Sequence, residues 1–296
     1  MKRVLVTGAR GFVGQHVIPY LAKKNYEIHV IQHQRSLSQN SDIIIHQADL
    51  FQPDTIKEIL QKISASHLLH IAWYAEHGDY WNSPLNYDWL IASLQLAKSF
   101  VEYGGKRVVV AGTCAEYDWQ YQKLIENNTP CFGNSPYATC KLSLLKVLES
   151  FSQLHKISFA WGRLFYLFGP GEDSRRLVPS VISALLKDQT FVCDHPEDVR
   201  DFIYVRDAAD ALVELLDSEV QGPVNIASGK GIKLHELLIN IASIMDKRHL
   251  LNSSDTVEGN EIVADISRLT NEVKWHSGRN LKESLNETID WWKNLQ

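Results

Sequence analysis

The sequence predicts an α/β fold built on a doubly wound parallel sheet, with a smaller C-terminal lobe beside it. Three observations carry this expectation. An apolar run near the start ends in a glycine-spaced turn, Val4-Leu5-Val6-Thr7-Gly8-Ala9-Arg10-Gly11-Phe12-Val13-Gly14. Strand-length apolar runs then alternate with helix-length amphipathic stretches through residues 1–168, the rhythm of a parallel sheet with helical crossovers. One of those runs, Val108-Val109-Val110-Ala111, is unbroken, as a strand covered on both faces would be.

The opening stretch reads as strand, turn and helix, the helix being signalled by Val13, Val17, Ile18 and Leu21. Gly8 permits a tight turn, Gly11 lets backbone approach a pyrophosphate, and Gly14 lets helix and strand pack closely. The helix N-terminus then offers unpaired N–H groups to the anion. Pro19 interrupts this helix and should remove a hydrogen bond or kink it. A second strand at Glu27-Ile28-His29-Val30-Ile31 is followed by a polar loop over 32–41 and a third strand at Ile43-Ile44-Ile45 leading to Asp49-Leu50. A helix over 53–63 precedes a fourth strand, His67-Leu68-Leu69-His70-Ile71-Ala72. A long helix over about 86–103 stops at Gly104-Gly105, a usual C-terminal signal. The buried strand 108–111, a helix over about 136–153 and a strand at 159–164 complete the pattern. Past Gly169-Pro170-Gly171 the rhythm loosens: short strands at 202–205 and 223–226 mix with helices near 207–217, 234–246 and 281–294. Residues 1–168 are therefore read as the nucleotide-binding domain, with strands returning to it within about 199–228. Residues 169–296 form mainly the smaller lobe, and a substrate would sit in the cleft between them.

Bulk properties narrow the field. The formal net charge of −5 with 22% charged residues gives no basic surface for nucleic acid or an anionic membrane. No apolar run approaches the roughly 20 residues of a membrane span. The start, Met-Lys-Arg running straight into a strand and glycine turn, is read as no signal peptide. Cys114, Cys131, Cys140 and Cys193 show no paired spacing and suit reduced thiols of a cytoplasmic protein. The twelve histidines form no metal-ligand pattern, so no metal is expected.

The chemistry-bearing residues fall at predicted strand and helix ends. Thr113 follows the buried strand, and Tyr137 and Lys141 form a Tyr-x-x-x-Lys pair on the next helix. Four-residue spacing puts both on one face, an arrangement that also describes an ordinary solvated helix surface. A phenol titrates near 10, and a neighbouring ammonium would lower that value towards a usable acid or base. Thr113 would hold the reacting oxygen by a hydrogen bond.

Taken in order, these motifs resemble one family. They are Thr7-Gly8-x-x-Gly11-Phe12-x-Gly14, Asp49-Leu50, His70-Ile71-Ala72, Thr113 with Tyr117, and Tyr137-x-x-x-Lys141. Arg163-Leu164-Phe165 with Gly169-Pro170-Gly171 and Arg200-Asp201-Phe202-Ile203-Tyr204-Val205-x-Asp207 follow. The chain resembles, over essentially its whole length, the extended short-chain dehydrogenase/reductase family, in its nucleotide-sugar epimerase/dehydratase/reductase branch. The resemblance implies a Rossmann-type domain holding NAD(P) and a C-terminal lobe binding a nucleotide-diphosphate sugar. It implies Thr113, Tyr137 and Lys141 as the catalytic trio, with Tyr137 exchanging a proton at the sugar while hydride passes to or from the nicotinamide. Cofactor contacts would come from Gly8, Arg10, Gly11, Phe12, Val13 and Gly14 in the turn. Asp49 and Leu50 would flank adenine, Ala72 at the end of the fourth strand would also touch the cofactor, and Tyr137 and Lys141 would meet the nicotinamide ribose.

Departures from the family pattern refine the expectation. The strand after the glycine turn ends Ile31-Gln32-His33-Gln34-Arg35. NAD-preferring folds place there an acid against the ribose 2′-hydroxyl, so its absence, with Arg35 nearby, favours NADP over NAD. Dehydrating members carry Asp-Glu after the catalytic threonine, whereas this chain has Thr113-Cys114-Ala115-Glu116, which argues against dehydration. Cys114 is offset from the cysteine used by members that epimerise C3 and C5, and is read as a small buried filler. Tyr166 stands where an asparagine often contacts substrate, and Glu116 is a candidate for touching the sugar or an exposed loop carboxylate. Arg200 aligns with an arginine that grips the diphosphate, a task suited to a forked guanidinium. Arg175 and Arg176 are candidates along the nucleotide path, and Trp73, with Tyr74 and Trp81, is a candidate wall of the sugar pocket. The helices near 86–103 and 136–153 commonly pair across a two-fold axis in the family, so a homodimer is expected. The function so implied is NADP(H)-dependent reduction of a nucleotide-linked 4-keto-6-deoxy sugar. The alternative is a nucleotide-sugar 4-epimerase with tightly held NAD, and a non-catalytic NAD(P)-sensing regulator comes third.

Overall fold

The computed structural model describes residues 2–33, 43–254 and 258–295. The glycine-turn unit is β1 (Arg3–Thr7) followed by α1 (Gly14–Lys23), which runs through Pro19 without breaking. β2 (Glu27–Gln32), β3 (Ile43–Gln47), α2 (Pro53–Ile63) and β4 (His67–His70) complete the first half of a sheet. α3 (Leu85–Glu102), β5 (Arg107–Thr113) and the two-residue β6 (Lys123–Leu124) follow, then α4 (Pro136–His155) and β7 (Ser158–Leu164). β8 (Tyr166–Phe168), α5 (Leu177–Leu186), β9 (Phe191–Cys193), β10 (Val199–Tyr204) and α6 (Val205–Asp217) lead to β11 (Gly222–Ile226). The chain ends with β12 (Gly231–Lys233), α7 (Leu234–Ile244), β13 (Leu251–Ser253), β14 (Glu261–Ala264), α8 (Ser267–Asn271) and α9 (Leu281–Lys293).

Among the described residues, seven strands form the main sheet in the order β11-β7-β5-β4-β1-β2-β3, with every neighbouring pair parallel. Chain order reverses direction between β1 and β4, and the carboxyl ends of strands at such a switch point bound a ligand crevice. The central strands have no polar face to spare: all seven residues of β5 are buried, because helices cover both sides. One side packs Val17 and Leu21 of α1 with Val181 of α5, Leu212 and Leu216 of α6 and Leu238 of α7. The other packs Ile59 and Leu60 of α2, Leu96 and Phe100 of α3, and Leu144 and Leu148 of α4. The predicted strand at 223–226 does return to this sheet, as its edge strand β11. The predicted strand at 202–205 does not: β10 pairs with β8, β12 and β14 in a second, smaller sheet that also takes in β6. Its continuation, Val205, is already the first residue of α6, which packs beside α1 on the main sheet.

Candidate active site

The glycine turn lies against the switch point by necessity of volume. Gly8 adopts φ +75°, and a Cβ there would sit 2.6 Å from the backbone nitrogen of Ala72. A Cβ on Gly14 would lie 2.0 Å from the Gly8 carbonyl oxygen, so α1 approaches β1 only because the side chain is absent. Gly11 donates its N–H to the Gly8 carbonyl at 2.9 Å, closing the turn. α1 starts with no side-chain cap and no acid in its first turn; its Gln15 and His16 N–H groups are held by the Gly11 and Val13 carbonyls, and its positive dipole end is left to an anion. This cradle fits a dinucleotide pyrophosphate. Arg10 is exposed at the tip, Phe12 is half-buried, and Val13 turns into the core.

Across the switch point, β1 and β4 are stapled by His70. Its Nδ1 lies 2.7 Å from Thr7 Oγ1 and its Nε2 lies 2.8 Å from Ser93 Oγ. Ser93 spends its own proton on the Trp89 carbonyl at 2.6 Å, so His70 donates from Nε2 and accepts from Thr7 at Nδ1. Burial holds the ring neutral, pushing its pKa down to about 3. The Ala72 N–H reaches Thr7 Oγ1 at 3.4 Å, which sets the backbone that faces the turn. At the far side Asp49 accepts from the Phe51 N–H at 3.0 Å and stands 3.4 Å from His33 at the end of β2, while Leu50 packs half-buried on the core. Arg35, the cation expected near the ribose, lies outside the described residues.

Thr113 closes β5, and Tyr137 and Lys141 lie on the first two turns of α4, whose start is fixed by Pro136 and by Ser135 capping the Ala138 N–H at 3.2 Å. The Thr113 hydroxyl faces the Tyr137 phenol closely enough to favour its ionised form. The Tyr137 N–H donates to the Trp81 carbonyl at 3.2 Å, and the phenol ring stands edge-on to Tyr80 and Trp81 at 4.9 and 5.6 Å. Lys141 is 3% exposed, and its Nζ donates to the Ala111 carbonyl at 2.9 Å. Burial governs both titrations. It raises the Tyr137 phenol above its ordinary value, against the Thr113 hydrogen bond, and draws Lys141 down to about 7, against Glu116. The expected lowering of the phenol by the ammonium is therefore not found: at neutral pH Tyr137 is a protonated donor.

Several residues singled out from the sequence are placed differently. Glu116 is neither an exposed loop carboxylate nor a cleft residue. It is fully buried, accepting from the Thr113 N–H at 2.9 Å, Trp161 Nε1 at 2.9 Å and Arg163 Nε at 2.7 Å. Arg163 in turn donates to the Tyr117 hydroxyl at 2.9 Å. Trp73 turns under α3 rather than along the Tyr80–Trp81 wall: its indole N–H donates to Asn86 at 2.8 Å and its ring carries the Lys141 ammonium. Arg175 is half-exposed and tied to Asp173 and, 99 positions away, to Glu76 at 2.5 Å. Arg176 stands 5.9 Å from the Tyr80 ring, which joins it to the Tyr137 end of the pocket. Tyr166 lies 5.6 Å from the Arg200 guanidinium, and that guanidinium already holds Asp198 at 2.6 Å and the Val199 and Asn260 carbonyls at 2.9 Å. Cys114 is buried with its thiol pushed up to about 12, the behaviour of a packed filler.

Sequence reasoning passed over Tyr80, Trp119 and Glu172. Trp119 stands 6.2 Å from Trp81 and donates to the Cys114 carbonyl at 2.9 Å. Glu172, next to the Gly169–Gly171 turn, is buried with its carboxyl pushed up to about 8, and its Oε2 has no hydrogen-bond partner among the described residues. The density of aromatics after β4 gave a signal for Tyr80, and Tyr117 and Tyr121 after β5 gave one for Trp119, while nothing periodic marked Glu172. Among the described residues no cluster of His, Cys, Asp and Glu could hold a metal, and no helix is long and apolar enough to cross a membrane.

A glycine cradle at a switch point, with a Thr, Tyr and Lys at neighbouring strand and helix ends, defines the class: a dinucleotide-dependent enzyme. The model of the NAD dependent epimerase/dehydratase family matches residues 4–227, and the chain belongs to that family. It is 26% identical over 254 residues to the CDP-abequose synthase of Salmonella typhimurium, covering 82% of this chain and 80% of that one. It is also 26% identical over 235 residues to the dTDP-6-deoxy-L-talose 4-dehydrogenase (NAD(+)) of Aggregatibacter actinomycetemcomitans, covering 77% and 84%. The solved structure of the UDP-N-acetylglucosamine 4-epimerase from Methanobrevibacter ruminantium M1, in complex with UDP-N-acetylmuramic acid, superposes with a TM-score of 0.89 at 26% identity, covering 100% of this chain and 99% of that chain.

Proposed function

We propose that the protein reduces a nucleotide-linked 4-keto-6-deoxy sugar, with Tyr137 as the proton donor. The observation that carries this reading is the state of the two acids near Thr113: Tyr137 is a protonated phenol, and the Glu116 carboxylate is bound to Arg163 and Trp161. Carbonyl reduction needs one proton donor at oxygen, whereas loss of water would need a further acid for the leaving hydroxyl. A nicotinamide dinucleotide, when bound in the Gly8–Gly14 cradle, supplies the hydride. Thr113 hydrogen-bonds the carbonyl oxygen, Tyr137 gives that oxygen its phenolic proton, and the Lys141 ammonium, one turn along α4, stabilises the phenolate left behind. Arg200 and Arg176 are assigned to the substrate diphosphate, and the Tyr80–Trp81 wall to the apolar face of the sugar.

NADP is the preferred cofactor on this reading, since β2 ends Ile31-Gln32 with no carboxylate. The protein is further proposed to be a cytoplasmic homodimer paired through α3 and α4, whose Leu85, Tyr87, Ile91, Val147 and Leu154 are exposed. The second reading, 4-epimerisation with retained NAD, is supported by the likeness over 100% of the chain to a 4-epimerase. Purified protein is to be supplied with nucleotide 4-keto-6-deoxy sugars, and separately with nucleotide hexoses, while NADPH absorbance and sugar identity are followed. The proposal expects NADPH consumption with the keto sugars and a loss of about 10²–10⁴-fold in Tyr137→Phe. Interconversion of hexose 4-epimers without net NADPH consumption would replace it by the epimerase reading.

A further inference from the structure

Lys141 has an unusual companion. Its Nζ stands 4.0 Å from the centre of the Trp73 ring, and a second indole, Trp161, is 6.0 Å away. The Ala111 carbonyl at 2.9 Å is its hydrogen-bond acceptor. A buried ammonium has three N–H donors and loses its hydration, so one carbonyl leaves it short of partners. An aromatic face within about 6 Å supplies electron density without needing a hydrogen-bond geometry, and the contact strengthens when water is excluded.

The Trp73 ring is itself fixed. Its indole N–H donates to Asn86 Oδ1 at 2.8 Å, and Asn86 is buried with its amide nitrogen bound to the Tyr80 and Ser83 carbonyls at 2.7 and 2.9 Å. The ring of Trp89 of α3 lies 6.4 Å from that of Trp73. The platform therefore belongs to the loop between β4 and α3, and it meets a lysine on α4. The segment immediately before it, Gly8 against Ala72, is the backbone beside the cofactor cradle. Other charged or titratable groups that face Lys141 are Glu116, after β5, which favours the ammonium, and His70 of β4, which is neutral.

We infer that Trp73 is a positioning residue for Lys141: its fixed indole face holds the ammonium at the place where the nicotinamide ribose and the Tyr137 phenol require a charge. The assignment rests on the catalytic reading above for its purpose, but the Trp73–Lys141 coupling itself does not. Burial without the ring would push the lysine further towards its neutral form, so Trp73 extends the pH range over which Lys141 stays charged.

The test follows the Lys141 Nζ directly by NMR of the folded chain, assigned with Lys141→Met, from acidic through neutral to alkaline pH. Trp73→Leu is expected to move the Lys141 titration down by about one pH unit, and Trp73→Phe by less, since a desolvated ring contact favours the charged form about tenfold or more. If Trp73→Leu does not fold, tryptophan replaced by fluorotryptophan in the unmutated chain weakens the ring face at constant size, and the same downward shift is expected. An unmoved midpoint in the folded variant or the fluorinated protein overturns the proposal. In parallel, the affinity for NADPH is measured against pH. It should fall with the Lys141 titration and track its shift in Trp73→Leu, whereas a merely structural role would lower affinity equally at every pH. A moved lysine midpoint with an affinity that ignores it would sink the catalytic reading and leave the Trp73 coupling standing.

Discussion

Replacing Glu116 gives the sharpest check on how the Thr113 end of β5 is built. Its carboxylate is fully buried and joined to Arg163 at 2.7 Å, and the Arg163 residue is 2% exposed. Glu116→Ala leaves a guanidinium buried with its charge uncompensated, which costs about 3–5 kcal/mol. Trp161 Nε1 and the Thr113 N–H also lose their acceptor, and a stranded buried donor costs about 1–3 kcal/mol. These losses share one carboxylate and will not add, so the expected total is about 4–6 kcal/mol, a large part of a domain's usual 5–15 kcal/mol. Glu116→Gln keeps an acceptor and should lose less. Urea unfolding followed by circular dichroism, with comparable slopes for all variants, reads the difference as a shift in midpoint. Glu116→Ala combined with Arg163→Met should recover about 2 kcal/mol or more relative to the sum of the single changes. A cost for Glu116→Ala below about 1 kcal/mol, or additive single changes, would refute the buried pairing and return Glu116 to the candidates for the sugar.

Gly14→Ala places a methyl group 2.0 Å from the Gly8 carbonyl oxygen, so α1 must retreat; isothermal titration should show at least tenfold weaker dinucleotide binding and a stability loss of about 1–3 kcal/mol. Binding at wild-type affinity would contradict the cradle assignment. Lys141→Met should abolish turnover yet raise the melting temperature at and below neutral pH, because burial draws the lysine down to about 7 and makes the folded state bind its proton less readily than the unfolded one. That excess stability should shrink as pH rises from about 7 towards the unfolded value near 10.4, and a variant less stable than wild type at low pH would overturn the sign. Dissociation constants for NADPH and NADH decide the cofactor, with tighter NADPH binding expected and tighter NADH binding counting against the argument from Gln32.

The main sheet was legible because its signals are local. Gly8, Gly11 and Gly14 mark backbone approaches that leave no room for a side chain, and Val108 to Ala111 mark a strand with no exposed face. The Tyr137–Lys141 pair was legible from spacing along one helix. What spacing does not carry is desolvation: the expected lowering of the phenol counted the ammonium and left out the burial that raises one group and lowers the other. Glu116 was misread for a similar reason. Its partners, Trp161 and Arg163, come from β7, 45 and 47 positions away, and nothing near Glu116 in sequence announces them. The second sheet was hard to foresee because β6 and β12 have only two or three residues each and gain their register from β10 and β14. Trp73 was legible as part of an aromatic cluster, but which side of the chain its ring would take depended on Asn86.

The commitment of acids elsewhere bears on what this pocket can do. Two carboxylates reach this end of the molecule through sequence motifs, Glu116 after Thr113 and Asp201 after Arg200. Glu116 is held by Arg163, Trp161 and the Thr113 backbone. Asp201 is fully buried and accepts from the backbone of Ser228, Gly229 and Ala264 and from the Ser228 hydroxyl, tying β10 to the loop after β11 and to β14. Both therefore serve as structural anchors, and the proposed reading leaves the proton at the Thr113 end of the pocket to Tyr137. A single phenol backed by a buried ammonium suffices to interconvert an alcohol and a ketone at one carbon, in either direction. On the proposed reading the choice between net reduction and epimerisation then lies outside the trio. It rests on whether the dinucleotide leaves the Gly8–Gly14 cradle between turnovers, which makes the rate of NADPH release, measured against the rate of sugar conversion, the quantity that separates the two.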